Sequence, residues 1–187
     1  MSLVLPLAKP LIESYLHHAY QTSIIGNTQK TMPWILSNYI QLYFDGNEDF
    51  PVQFYMPDQT GYTWHFICPW LDHQVIKNDM ITKLNVDIIA LMTAGIDSGC
   101  YLVAYLNEYF IPGKPSYQSK HHTHHFMIYG YDAEKQVFYH QGYNNRVFGT
   151  YEVKFSDVEK AFYSSTNYFY HTHDKLYLLK INDNFTY

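Results

Sequence analysis

The segment Tyr101-Leu102-Val103-Ala104-Tyr105-Leu106-Asn107-Glu108-Tyr109 constrains the fold more than any other part of this chain. It is nearly all apolar or aromatic. A strand of that composition, without polar alternation, belongs in the middle of a sheet, where both of its faces are covered. A second apolar run, His124 to Tyr131, ends in the turn Asp132-Ala133-Glu134-Lys135, and Gln136 to His140 returns antiparallel to it. Tyr151 to Phe155 and Leu176 to Ile181 add further strands.

The first third of the chain has helical spacing. Ile24, Ile25, Trp34, Ile35, Tyr39, Ile40 and Tyr43 recur at that period between Ala19 and about Phe44. Pro33 suits the first turn of a second helix, so the pattern predicts two helices joined near Thr31-Met32 and ended by Asp45-Gly46-Asn47. Val52–Tyr55 and Tyr62–Ile67 read as short strands around the turn Pro57–Gly61. Asn85 is placed to cap a helix from Val86 to Ala94, stopped by Gly95. Ser156 and Glu159 have the spacing of a capping box, opening a short helix to about Tyr163. Helices first and antiparallel strands later give an α+β fold, here a single domain over residues 1–187.

Composition narrows the function classes. Hydrophobic residues make up 47% of the chain and charged residues 16%, which is a globular balance. The 20 tyrosines and 12 phenylalanines mostly fill a core and cover a sheet. A net charge of −5 argues against a nucleic-acid partner. No run approaches the roughly 18 apolar residues of a membrane span, so no membrane role is expected. The first ten residues have no basic leader and are broken by Pro6 and Pro10, unlike a signal peptide. Two cysteines, Cys68 and Cys100, make no disulfide framework, and the chain reads as a reduced, cytoplasmic protein.

Six histidines invite a metal reading: His121, His122, His124, His125, His171 and His173. No Cys-x-x-Cys or helical His-Glu-x-x-His accompanies them, so solvated or ring-packed histidines and no metal are the expectation. Cys100, in the predicted central strand, reads as an apolar filler. Cys68 precedes Pro69-Trp70, and only His65, at a distance, bears on its pKa. Glu108 reads as a solvated strand-end carboxylate. The loop Pro112 to Lys120 is placed to form one wall of a substrate cleft.

The unit His124-His125-Phe126-Met127-Ile128-Tyr129-Gly130-Tyr131-Asp132 resembles the histidine segment of papain-like bacterial cysteine peptidases of the bacteriocin-processing type. With Gly99–Tyr109 and Val137–Tyr143 around it, the resemblance is closest to butirosin biosynthesis protein H-like domains. It covers roughly Gly99 to Phe162, and the N-terminal helix weakly. It implies a papain-like fold, with an N-terminal helix packed on a mostly antiparallel sheet.

In that family a cysteine opens the first long helix, whose dipole and free amides stabilise a thiolate. Here the matching stretch is His17-His18-Ala19-Tyr20-Gln21-Thr22-Ser23, and Ala19 takes the nucleophile position. Either Ala19 replaces a cysteine to give an inactive form, or the chain is a natural pseudoenzyme. By the resemblance His124 is the general base and then acid, and Gln141 orients its imidazole in place of the family's Asp or Asn. The region of the family's oxyanion glutamine holds Glu13 and Ser14, leaving backbone amides at the helix start for that role. The implied activity is thiol acyl transfer or hydrolysis in bacterial natural-product biosynthesis, on a small-molecule or peptide substrate. An acyl carrier protein or peptide thioester would be the donor, and no cofactor is needed. A leader-peptide cysteine peptidase and a peptide- or carrier-protein-binding pseudoenzyme are the alternatives.

Overall fold

The computed structural model describes residues 2–40, 42–44, 46, 52–54, 68–165 and 174–186. The predicted strand Tyr62–Ile67, its turn, Asp45, Asn47, His171 and His173 lie outside them. The chain divides into two compact units, Met1–Pro6 with His73–Lys180, and Leu7–Asp72 with Ile181–Tyr187.

The first unit carries a seven-stranded sheet. Its strands are β1 (Ser2–Val4), β4 (Leu71–Lys77), β5 (Tyr101–Asn107), β6 (Thr123–Asp132), β7 (Val137–Asn144), β8 (Val147–Lys154) and β9 (Lys175–Ile181). Their order is β4-β9-β5-β6-β7-β8, with β1 beside β6. The pairs from β9 through β8, and β1 with β6, are antiparallel. All seven residues of β5 are buried, as an uninterrupted apolar run requires. One sheet face carries Leu102, Ala104, Leu106, Phe126, Ile128, Phe138 and Leu176, packed with helices α4 (Ile88–Asp97) and α5 (Phe155–Ser165) through Met92, Ile96, Val158 and Phe162. The fold is α+β with a mostly antiparallel sheet, as the element order predicts.

The Gly-Tyr-Asp run that ends β6 has a structural cause at each residue. The β6–β7 register shifts between Ile128 and Gly130, a bulge. A Cβ at Gly130 would lie 2.8 Å from the Leu3 carbonyl oxygen, so the missing side chain lets β1 pair there. The Tyr131 hydroxyl donates to Asp97 Oδ1 at 2.8 Å, tying β6 to the end of α4. Asp132 Oδ1 accepts from the amides of Glu134 and Lys135 at 2.9 and 3.0 Å and closes the turn.

Several boundaries depart from the sequence expectation. Asn85 does not cap α4: it stands at φ 52° after a short helix, α3 (Asn78–Lys83), and Asp87 is the cap, accepting from the amides of Ile89 and Ala90. Gly95 does not stop that helix, which runs two residues further. A Cβ there would meet Leu102 Cδ2 at 3.0 Å, so Gly95 serves close helix–strand packing. Ser156 lies inside α5. Cys100 sits just before β5 and is only half-buried.

The second unit holds α1 (Leu16–Ile25), α2 (Met32–Tyr39) and an antiparallel pair, β2 (Leu42–Phe44) and β3 (Val52–Phe54). Pro33 stands in the first turn of α2. The helical spacing that suggests helix as far as Phe44 stops short: α2 ends at Tyr39, and the chain turns into β2. No helix among the described residues is long and apolar enough to cross a membrane.

The α4 cap gives a direct check. Asp87→Ala should lower unfolding free energy by about 1 kcal/mol in urea denaturation, while Asn85→Gly, at a left-handed φ, should leave it equal or higher. A larger loss at Asn85 than at Asp87 would contradict this capping assignment.

Candidate functional site

At the Asn107 end of β5 the first unit gathers several of its buried polar groups. Asn107 is fully buried. Its Oδ1 accepts from the amides of Tyr109 (3.1 Å) and His122 (3.3 Å), and its Nδ2 donates to His121 Nδ1 at 2.9 Å. The Glu108 amide donates to the His122 carbonyl at 2.8 Å. These bonds close the neck of an excursion from Glu108 to His122, so a single buried amide sets where the loop leaves and re-enters the sheet.

Glu108 is therefore not a solvated strand end. It is 7% exposed, and its Oε1 lies 3.6 Å from His124 Nδ1. The His124 side chain is 40% exposed, with its ring stacked on those of His122 and His125 at 5.7 and 4.5 Å. Lys114, from the loop, bonds the Tyr143 carbonyl and lies 4.4 Å from the Phe126 ring centroid. Burial pushes its ammonium down to about 8, and the Glu108 carboxylate partly opposes that. His140 packs on Phe126 with ring centroids 5.3 Å apart. Burial first, and then the Lys114 charge, hold its imidazole down at about 3.

The register places the expected triad members differently from the resemblance. Ile128 pairs with His140 and Met127 with Gln141. By strand alternation His140 is in phase with His124, Phe126 and Ile128, and Gln141 with His125 and Met127. Gln141 is 4% exposed, its Oε1 has no hydrogen-bond partner among the described residues, and its position is out of phase with the imidazole it was expected to orient. Sequence reasoning missed Glu108 because it assumed a strand-end carboxylate stays in water. The signal available was Asn107, an amide residue suited to closing a turn.

Ala19 belongs to the second unit. It is fully buried and does not open α1: its N–H donates to the Tyr15 carbonyl at 2.9 Å. The amides that a helix leaves without an intrahelical acceptor are those before it, in the first turn of Leu16, His17 and His18. Beside it lies a buried polar cluster. His18 Nδ1 is 3.2 Å from the Tyr39 hydroxyl, which donates to Gln21 Oε1 at 2.7 Å. The Tyr39 hydroxyl thus links the Gln21 amide to the His18 imidazole. Burial and then His17 hold it down at about 3. Cys68 is buried against the same cluster, and burial pushes its thiol up to about 11 despite the hydrogen bonds of Gln21 and the Trp70 amide. Burial also raises the half-buried Cys100 thiol. Among the described residues no group of three or more histidine, cysteine or acidic side chains converges as a metal site would.

No family model and no curated protein matches the chain. A solved structure of a Bacillus anthracis protein described as a C39-like peptidase is similar at a TM-score of 0.46 and 13% sequence identity, over 97% of this chain and 98% of that one.

The two depressed histidines set an acid limit on stability. Each is neutral in the fold and titrates near 6.5 when unfolded, so the unfolded state binds more protons between about pH 6.5 and about 3. Stability should be full above that window and fall as pH falls through it. His140→Phe, which keeps a ring against Phe126, should remove close to one proton from the pH slope of unfolding free energy. An unchanged slope would mean that His140 is already charged in the folded protein.

Proposed function

We propose that this chain is a papain-like domain on the plan of the cysteine acyltransferases and peptidases of bacterial natural-product biosynthesis, acting as it stands by binding rather than by turnover. Its ligand is a peptide or an acyl group borne on a carrier-protein thioester. The observation that carries this reading is the state of position 19. The residue there is alanine, its amide is already spent on Tyr15, and the thiols of Cys68 and Cys100 are both held protonated. Thiol catalysis needs a thiolate and a free donor for the oxyanion, and position 19 supplies neither.

His124, partly exposed and beside a carboxylate, then serves as a polar contact for the ligand's carbonyl or terminal carboxylate instead of as a base for a thiol. Two free cysteines fit a reduced, cytoplasmic setting. The second reading is an acyltransferase or hydrolase whose active form carries cysteine at position 19. The retained His124–Glu108 pair favours it, because a binding module has no need of a carboxylate-backed imidazole.

Mixing the protein with an acyl N-acetylcysteamine thioester and with short peptides separates these readings. We expect saturable binding without thiol release, and at least a tenfold loss of affinity in His124→Ala, on the order of 1.4 kcal/mol. Ala19→Cys should neither acquire an acyl group nor label with iodoacetamide at pH 7 faster than an ordinary thiol. A covalent acyl adduct on the thiol introduced by Ala19→Cys, formed only when His124 is present, would overturn the binding reading in favour of the transferase.

A further inference from the structure

We infer that Glu108, just past the end of β5, is the positioning residue for His124: its carboxylate holds the imidazole through Nδ1 and sets its tautomer. The inference takes His124 as the working histidine of the proposed site, and it moves the orienting role from the return strand β7, where Gln141 stands, to the strand on the other side of β6.

Four observations carry it. Leu106 and His124 are cross-strand partners, so β5 delivers the residue two places on, Glu108, beside the start of β6. The Glu108 side chain is 9% exposed, and its Oε1 faces His124 Nδ1 across 3.6 Å, a span that tightens readily into a charge-assisted hydrogen bond when a ligand docks. The backbone on both sides of the pair is locked by the Asn107 side chain and by the bond from the Glu108 amide to the His122 carbonyl. Gln141, by contrast, shares its phase with Met127. A carboxylate on Nδ1 also does what a glutamine cannot: it stabilises the imidazolium as well as choosing the tautomer.

Among the described residues, charged and titratable neighbours of the pair come from the loop and from β6. Lys114 faces Glu108 from the loop, and His122 and His125 stack on His124 from its own strand. The Lys114 ammonium gives the carboxylate a cationic neighbour, and Nδ1 keeps a carboxylate as its partner. No proton leaves the pair when a ligand binds. The Nδ1 proton stays between imidazole and carboxylate.

Nitrogen-15 NMR of the full chain tests this, with the His124 signals assigned by their loss in His124→Gln. In the unsubstituted protein above the titration midpoint of His124, the neutral ring should carry its proton on Nδ1. Glu108→Gln should lower that midpoint by about one unit, and Glu108→Asp should restore most of it. Gln141→Ala should move neither tautomer nor midpoint. A dominant Nε2–H tautomer in the unsubstituted protein would overturn the assignment even if the Glu108 variants failed to fold. So would a midpoint that follows Gln141 and ignores Glu108. The readout needs no ligand, so the positioning role stands or falls separately from the binding function.

Discussion

The amide of Asn107 is the interaction on which the rest of the first unit's polar chemistry depends. Three hydrogen bonds converge on one wholly buried side chain: two backbone N–H groups on Oδ1, and a ring nitrogen of His121 on Nδ2. Together they satisfy backbone that would otherwise be orphaned where a buried strand ends, and leaving such a group unsatisfied costs about 1–3 kcal/mol. They also decide which way Glu108 leaves the strand. A carboxylate two residues beyond Leu106 is then held at the start of β6 and not released into water. Loss of that amide would free the loop neck, and with it the geometry of Glu108, His124 and Lys114.

Burial separates the groups of the two units into those that can act and those that are structural. His18 and His140 are neutral because the protein withholds water from them. Cys68 is a thiol for the same reason. Such groups answer to pH through stability, not through chemistry. His124 differs in being 40% exposed with a carboxylate at its back. An imidazole in that position keeps access to water while a carboxylate supports it through Nδ1.

Much of this was legible in the sequence, for reasons that differ between segments. The uninterrupted apolar run of β5 and the alternation around the turn at Asp132 gave the antiparallel α+β plan, because sheet position follows directly from which faces must be covered. Helix ends were less legible. Asn85 and Asp87 are both good caps by type, and the φ at Asn85 and the two amides that Asp87 accepts distinguish them. Gly95 looked like a stop, yet its small size serves contact with Leu102, a tertiary demand that local pattern does not contain. The histidine segment was found through Gly130-Tyr131-Asp132, but those three residues serve β1 pairing, the tie to Asp97 and the turn. The motif marks the scaffold around His124, and it carries no information about which residue partners the imidazole.

That distinction bears on position 19 as well. A helix stabilises a thiolate with its first-turn amides, and those are spent in order along the chain. In α1 the fourth residue's amide is already committed to Tyr15, so the field at Ala19 comes from an intact helical turn. A side chain there is also fully buried, as Ala19 is. Desolvation raises a thiol's pKa, and Cys68, in the same unit, shows its direction and size. For a cysteine at position 19 to become a nucleophile, the first turn of α1 would have to unwind by one hydrogen bond, freeing the amide there and admitting water. Binding a ligand that uses that amide as a donor is the event able to favour such unwinding, because a helix terminus exchanges one hydrogen bond for another at little net cost.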